Sequence, residues 1–429
     1  MFFTRRGTLV LSLAVVCGPS LAAALAADPI TFELTVDAGD RPRTNVPVRV
    51  DVQLPPELAG ATTARLEDAS GTRLVGQLTP PALMSPPSPA GGGPGQVARE
   101  LHFVVPQLAA HSTLTLTATI APSAPDDDAP GFAWVDTANE HAELSFAGRP
   151  VLRYMCAPLD DSSPAARAAT FKVYHHLYDP QGQRLVTKGP GGLFPHHRGL
   201  FFGFNRIRYG NGKTADTWHC NQGESQAHQQ FLESAAGPVL GRHRLEIEWR
   251  GKDQQGFATE QRELTAYHVP GGTLVEFASR LESKVGPVSL DGDPQHAGFQ
   301  FRASQEVPDK TARLTYYLRP DGQGQPGKFR NWPDDKSHVN LPWNALSFVL
   351  GDQRYTCCYL DRPANPKEAR FSERDYGRFG AYFPYELDAG KPLELNYRIW
   401  LQEGEMTVDQ VAALAADFVA PPQVKLTKR

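Results

Sequence analysis

Apolar and polar residues alternate along many short segments of this chain. The alternation is clear in VPVRVDVQL, STLTLTATI, HRLEIEWRG and ELNYRIWLQ. Successive side chains of a β-strand point to opposite faces, so this pattern predicts strands with one buried face. Gly, Pro, Asn and Asp separate the segments, as turns between strands require. We therefore predict an all-β protein built from antiparallel sheets.

One segment near the C-terminus, TVDQVAALAADF, has helical periodicity instead. Val411, Leu414 and Phe418 would share one helical face, and Thr407 is a suitable N-cap. We predict a short C-terminal helix that packs on the edge of a sheet.

The chain divides into two β-rich units. A Pro- and Asp-rich segment, APSAPDDDAP, marks a boundary near residues 122–131. Residues 28–121 have the length and strand pattern of a small N-terminal β-sandwich. Residues 132–420 predict a large antiparallel β-sandwich. The sequence has no repeat of fixed period, which argues against a propeller or a solenoid.

Residues 1–26 have the pattern of a secretory signal peptide. Arg5 and Arg6 precede the apolar stretch LVLSLAVV, and Ala24 and Ala26 supply the small residues of a cleavage site. The apolar stretch is shorter than the ~20 residues that span a bilayer. We expect a periplasmic or secreted protein with no membrane attachment once the signal is removed.

The net charge argues against a nucleic-acid partner, and the cysteine count argues against a disulfide-stabilised fold. The sequence has 43 Lys and Arg against 47 Asp and Glu, a formal net charge of −4. A mildly acidic protein without a basic run is a poor nucleic-acid binder. Cysteines are too few for a disulfide scaffold, so Cys156 and Cys220 either form a single bridge or remain thiols. The sequence identifies no cofactor.

The segment GGLFPHHRGLFFGFN contains the most concentrated candidate chemistry, with His196, His197 and Arg198 side by side. In a regular strand the two imidazoles would point to opposite faces. They can meet at one metal only where the chain is irregular, which the glycines before Pro195 favour. Metal ligation by either histidine together with His219, Asp216 or His296 is one hypothesis. No metal-binding spacing such as HExxH accompanies it.

The segment QHAGFQFRAS predicts a strand with two different faces. Phe299, Phe301 and Ala303 would face the core. The opposite face would carry His296, Gln300 and Arg302, beside Gly298. That face is either a polar pocket or a solvated outer surface, and the scarcity of Lys and Glu favours the pocket.

Two further segments supply candidate binding residues. In ADTWHC, Asp216 and Trp218 would share a face, with His219 beside them. A carboxylate next to an indole can hold a sugar, although Trp218 could equally fill the core. In SERDYGRFGAYFPYEL, the residues Tyr376, Arg378 and Tyr382 could line the same groove or form a packed β-corner.

PHHRGLFFGFNRI, ADTWHC, QHAGFQFRAS and DYGRFGAYFP together resemble a bacterial family labelled "methane oxygenase PmoA". The similarity covers roughly residues 145–405, and its most specific part is the pairing of HHRG with D-x-W. The resemblance implies secreted, all-β proteins of bacteria that degrade complex polysaccharides. The large unit would then be similar to the galactose-mutarotase type of β-sandwich.

Three classes of function follow. The first is a carbohydrate-active enzyme of hydrolase, lyase or epimerase type with histidine acid/base chemistry. The second is a sugar-binding protein without turnover, and the third is a metal-dependent oxidase. A glycosidase would need paired carboxylates, and Asp216, Glu224 and Asp293 form no convincing pair in the sequence. We predict catalytic roles for His196, His197, Arg198 and His296. We predict sugar-binding roles for Asp216, Trp218, His219, Gln300, Arg302, Tyr376, Arg378 and Tyr382.

Overall fold

The computed structural model describes residues 28–85, 95–122, 130–293 and 295–428. The predicted signal peptide and most of the predicted boundary segment lie outside these ranges. Within them, no helix has the length and apolar character needed to cross a membrane.

The N-terminal unit contains six strands: β1 (Ile30–Asp37), β2 (Arg43–Leu54), β3 (Thr63–Asp68), β4 (Arg73–Thr79), β5 (Val97–Leu108) and β6 (Thr113–Ile120).

The large unit begins with β7 (Phe132–Thr137), β8 (His141–Phe146), β9 (Arg149–Met155), α1 (Pro164–Thr170), β10 (Tyr174–Leu177), β11 (Leu200–Phe204), β12 (Arg206–Tyr209), β13 (Lys213–Ala215), β14 (Ser225–Ala236), β15 (Leu240–Arg250) and β16 (Gly256–Val269). It continues with β17 (Gly272–Ser283), β18 (Val288–Asp291), β19 (Ala297–Arg302), β20 (Tyr316–Arg319), β21 (Gly322–Gln323), β22 (Trp343–Leu350), β23 (Gln353–Asp361), β24 (Arg370–Arg374), β25 (Arg378–Tyr382), β26 (Tyr385–Leu387), β27 (Leu393–Glu403) and α2 (Val408–Val419). The last strand is β28 (Gln423–Lys428).

The N-terminal unit is one antiparallel sheet in the order β2-β5-β4-β3-β6-β1-β28. The sheet curls around its own apolar core, so that the edge strands β2 and β28 approach each other. Its seventh strand comes from the C-terminus, where Leu426 pairs with Leu34 of β1. The sequence pattern does not predict this strand, because QVKLTK is short and follows a helix.

Two large sheets pack face to face in the second unit. One has eight strands in the order β24-β25-β19-β11-β10-β9-β8-β7, and the other has nine in the order β14-β15-β16-β17-β27-β23-β22-β20-β21. Aromatic rings fill the space between them: Phe299 of β19 stacks on Phe277 of β17 with ring centres 4.0 Å apart. Burial of one such ring stabilises the fold by about 1.5–3 kcal/mol. A smaller sheet, β13-β12-β18-β26, completes the unit, and the all-β prediction is confirmed.

The C-terminal helix forms as predicted, but it packs elsewhere. Thr407 and Gln410 make a reciprocal capping box at its start. Its buried residues Val411 and Phe418 belong to an apolar cluster with Trp343 and Leu360, so the helix covers the outer face of the nine-stranded sheet. The predicted edge position is wrong, because the middle strands of this sheet carry apolar residues on both faces.

The eight-stranded sheet carries the candidate site on its outer face. Cross-strand pairing aligns Phe299 with Phe202 on the core side, and Gln300 with Phe201 on the opposite side. The predicted core positions Phe299, Phe301 and Ala303 are fully buried. Gln300 and Arg302 are also fully buried, so their face is covered rather than solvated.

Candidate functional site

The chain between β10 and β11 is irregular at the histidine pair. Gly191 and Gly192 have φ of +83° and +62°, and Phe194 has φ of +52°. The His197 amide then donates to the Phe194 carbonyl at 3.0 Å, which closes a tight turn. Because this backbone departs from a strand, the rings of His196 and His197 converge, with centres 4.3 Å apart.

Gly199 fixes the end of this segment against β10. Its φ is +45°, and a Cβ at this position would lie 2.0 Å from the carbonyl oxygen of His175. Only glycine permits such a close approach of backbone to backbone. The approach brings the histidine turn down onto the outer face of the eight-stranded sheet.

Three buried cations hold the histidine turn through backbone carbonyls. The Lys172 ammonium donates to the carbonyls of His196, at 3.3 Å, and Trp218. The Lys188 ammonium donates to the carbonyls of Gly189, at 3.1 Å, and His197, at 3.4 Å. Burial lowers the pKa of Lys172 to about 8 and that of Lys188 to about 7. Neither lysine is predictable from the sequence, since both lie outside the histidine motif and contact it only in the folded chain.

Arg198 serves the same structural purpose and not the predicted catalytic one. Its guanidinium donates to the carbonyls of Pro195, Ala168 and Ala169, the last two at the C-terminal end of α1. It also lies over the Phe171 ring at 4.1 Å. A cation at a helix C-terminus is stabilised by the helix dipole. The side chain therefore points away from the imidazoles.

Three imidazoles from distant parts of the chain meet at one point. His196 and His197 come from the turn, and His296 comes from the residue just before β19. One ring nitrogen of each lies within 4.8 Å of the others. The Nε2 atom of His196 and both ring nitrogens of His197 are buried and have no hydrogen-bond partner among the described residues. Neutral imidazole nitrogens in this arrangement are suitable ligands for a divalent transition metal.

His219 lies beside this cluster. Its ring centre is 4.4 Å from that of His196 and 4.8 Å from that of His296. Its Nδ1 atom is 2.7 Å from Oδ2 of Asp216, and Oδ1 of the same carboxylate accepts from the amides of Trp218 and His219. The carboxylate fixes the ring and leaves Nε2 available.

His296 has the same arrangement. Its Nδ1 atom is 2.7 Å from Oδ1 of Asp293, whose other oxygen accepts from Asn205 at 3.0 Å. Burial raises the pKa of Asp293, but the hydrogen bond and charge of His296 together with hydrogen bonds from the Gln295 amide and Asn205 outweigh it and hold that pKa below its usual range. Both pairs have the spacing D-x-x-H, at residues 216–219 and 293–296. That repeated spacing is the sequence signal that could have identified Asp293 as an orienting group.

Electrostatics keep the two deep imidazoles neutral. Burial, with added repulsion from Lys172 and neighbouring histidines, lowers the pKa of His196 to about 2. Burial and the Arg378 guanidinium lower the pKa of His197 far below its usual value. At neutral pH neither ring carries the proton that a general acid would donate. Both therefore suit metal ligation better than the predicted acid/base role.

Trp218 forms part of the wall of the site. It is fully buried and packs with Phe201 and Tyr174 in a small apolar cluster. Its ring meets those of His197 and His296 edge-on, at 5.6 and 6.2 Å. A fully buried indole cannot present its face to a sugar, so the core-filling alternative is the one the structure supports.

Of the remaining predicted sugar-binding residues, four lie next to the histidines and one lies elsewhere. Gln300, Arg302, Tyr376 and Arg378 lie together beneath the histidines, where the Tyr376 ring runs nearly parallel to that of His197 with centres 6.1 Å apart. Tyr382 instead accepts a hydrogen bond from Arg370 at 3.1 Å and packs on Trp332. Phe194, which sequence analysis did not select, covers the site with a ring that is 40% exposed and contacts His197.

A separate groove of about 490 Å³ lies where the N-terminal unit meets the outer face of the nine-stranded sheet. Two of its arginines are paired with carboxylates: Arg398 pairs with Glu276, and Arg242 lies 3.7 Å from Glu263. Arg362 of the same groove donates to Asn396 Oδ1 at 2.9 Å.

Cysteine chemistry plays no visible part in the site. The described cysteines, Cys156, Cys220, Cys357 and Cys358, are free thiols. Of the two alternatives for Cys156 and Cys220, the bridge is not formed. Burial raises the pKa of Cys220 to about 12, which keeps this thiol protonated.

The fold and the site define an all-β protein with a cluster of histidines on the outer face of one sheet. A family model matches residues 141–416, and the chain belongs to that family, DUF6807, which is described as a family of unknown function. No curated protein matches the chain.

A solved structure of a protein in glycosyl hydrolase family 38 from Enterococcus faecalis is similar to this chain, with 9% sequence identity and a TM-score of 0.42. The alignment covers 93% of this chain and 47% of that protein, so the chain spans about half of its length.

Proposed function

We propose that this protein is a metal-dependent enzyme in which His196, His197 and His296 hold one divalent transition-metal ion. The observation that carries the proposal is the convergence of three imidazole nitrogens within 4.8 Å. Nitrogens bound to one zinc ion at 2.0–2.1 Å are about 3.3 Å apart. Small side-chain rotations would therefore close the site around an ion.

The surrounding groups support the same assignment. Asp293 orients His296 through Nδ1, which is the carboxylate contact that metal-ligating histidines commonly make. The unpartnered nitrogens of His196 and His197 are costly to bury unless a ligand satisfies them. Three neutral imidazoles leave an ion with its full positive charge and at least one open position.

The chain's own residues then have distinct roles. His219, held by Asp216 and 20% exposed, is placed to accept or return a proton next to the ion. A bound ion would supply Lewis acidity and an activated water molecule. Phe194 and Trp218 limit the access of bulk water. The sugar substrate and the periplasmic or secreted location remain proposals that rest on the sequence.

Metal analysis tests the proposal directly. Protein stripped with chelator and reloaded separately with Mn, Fe, Co, Ni, Cu and Zn should bind about one ion per chain, measured by mass spectrometry of the element and by calorimetry. The substitutions His196→Gln and His296→Gln should abolish that binding.

His141→Gln is the matched control, since this histidine lies on β8 beside Glu140 and is remote from the cluster. It should bind metal like the wild type. Failure of the wild-type protein to bind any of these ions would refute the proposal. A glycan array followed by product analysis would then separate turnover from simple sugar binding.

A further inference from the structure

Two arginines lie beneath the histidines without a carboxylate partner. Arg302 and Arg378 are fully buried and stand side by side on β19 and β25. Arg378 donates to neutral acceptors, Gln300 Oε1 and Ser372 Oγ, both at 2.9 Å. Within the described ranges neither arginine has a carboxylate oxygen within 4.0 Å of its guanidinium.

Some other buried arginines of this chain are paired with carboxylates, and Arg198 is satisfied by backbone carbonyls instead. Arg262 lies 2.8 Å from Glu260, and Arg319 forms a two-point contact with Glu373. Buried charges are normally paired because desolvation of a lone ion is strongly unfavourable. Arg302 differs from both groups, because two of its guanidinium nitrogens have no hydrogen-bond partner among the described residues.

Arg302 has one side of its guanidinium free. Its Nη1 atom donates to the carbonyls of Ala303, at 3.0 Å, and Tyr376. Its Nε and Nη2 atoms are buried and have no hydrogen-bond partner among the described residues. These two N–H groups form the side-on edge that binds both oxygens of one carboxylate.

The Tyr376 ring connects the Arg302 guanidinium to the histidine cluster. The Arg302 guanidinium is 4.9 Å from the centre of the Tyr376 ring, and that ring lies 6.1 Å from the ring of His197. The field of Arg302 is also among the causes that lower the pKa of His197. Phe194, which is 40% exposed, contacts both Tyr376 and His197 and so lies on the solvent side of the cluster.

We propose that the substrate carries a carboxylate, which the free Nε and Nη2 edge of Arg302 binds while the reacting part of the substrate lies at the histidine cluster. The inference rests on the proposed function for the placement of the reacting part. Combined with the expected sugar, it points to the class of acidic sugars, the uronates. A neutral sugar would leave the Arg302 edge unsatisfied.

Calorimetry on the full chain, with and without bound zinc, tests the inference with D-glucuronate and D-glucose as probes. The wild type should bind glucuronate at least about ten-fold more tightly than glucose, because only glucuronate offers a carboxylate to the two free N–H groups. Arg302→Gln should remove that preference and leave the zinc stoichiometry unchanged. Arg302→Lys, which keeps the charge without the two-point geometry, should retain only part of it. Arg184→Gln, an exposed arginine, is the control and should bind like the wild type.

The outcomes separate the two proposals. Zinc binding without a preference for glucuronate overturns the anionic substrate and leaves the metal site standing. A glucuronate preference without any metal binding overturns the metal site and leaves the anionic substrate standing. Equal competition by inorganic sulfate would overturn the carboxylate class. Should Arg302→Gln fail to fold, Arg302→Lys and the wild-type comparison still decide the matter.

Discussion

Replacing Asp293 by Asn tests whether the carboxylate behind His296 tunes a metal ligand. The carboxylate lies 2.7 Å from His296 Nδ1 and also accepts from Asn205 at 3.0 Å. Asn keeps the shape and one acceptor oxygen, but it removes the negative charge and turns an NH2 group toward the Asn205 amide. Loss of such an outer contact usually weakens metal binding by about 10- to 100-fold, or ~1.4–2.8 kcal/mol. We expect a loss of that size for zinc.

Asp216→Asn is the matched comparison, because Asp216 contacts His219 at the same 2.7 Å and with the same D-x-x-H spacing. His219 lies outside the group of three converging nitrogens. We therefore expect Asp216→Asn to weaken zinc binding by less than Asp293→Asn. Zinc affinity is measured by competition with a chelator at fixed pH. If Asp216→Asn weakens it as much or more, His219 is a ligand and the assignment of His296 is refuted.

Two further predictions concern stability. Trp218→Ala should lower the free energy of unfolding in urea by about 3–5 kcal/mol, because the indole is fully buried against Phe201; an unchanged midpoint would show that Trp218 is not core. In metal-free protein, stability should fall as pH drops below about 6.5, since burial lowers the pKa of His176 to about 4 and that of His243 to about 3. The unfolded state then binds protons that the folded state excludes, which removes up to about 1.4 kcal/mol per pH unit for each group. Urea unfolding at pH 7.5, 6.0 and 5.0 measures this, and a flat profile would contradict it.

The strand pattern was predictable because it depends on local alternation. Alternation alone predicts which β19 side chains lie on each face of the sheet. It therefore also predicts the buried positions of Phe299 and Phe301. The capped C-terminal helix was equally visible from Thr407 and its apolar stripe. The position of that helix was not predictable. It depends on which sheet face exposes apolar residues that the helix can cover.

The site was predictable only in part. The motifs named the residue types that converge, but the direction of each side chain depends on positive φ angles in the turn before β11. Those angles send His196 and His197 to one side and Arg198 to the other. The roles of Lys172 and Lys188 were not predictable, because both bind carbonyls of distant segments. No sequence spacing encodes such contacts.

Burial of so many polar and charged groups has an unfavourable desolvation energy, and this supports the proposed binding of a ligand. Lys172, Lys188 and Arg198 are buried cations that are satisfied by carbonyl oxygens and that hold the histidine turn rigid. Rigidity of this kind has little value for a surface loop, but it preorganises a site whose ligands must meet within tenths of an ångström. The His197 ring makes no hydrogen bond among the described residues, so packing and the backbone of the turn orient it toward the cluster. The proposed metal ion would satisfy these buried nitrogens.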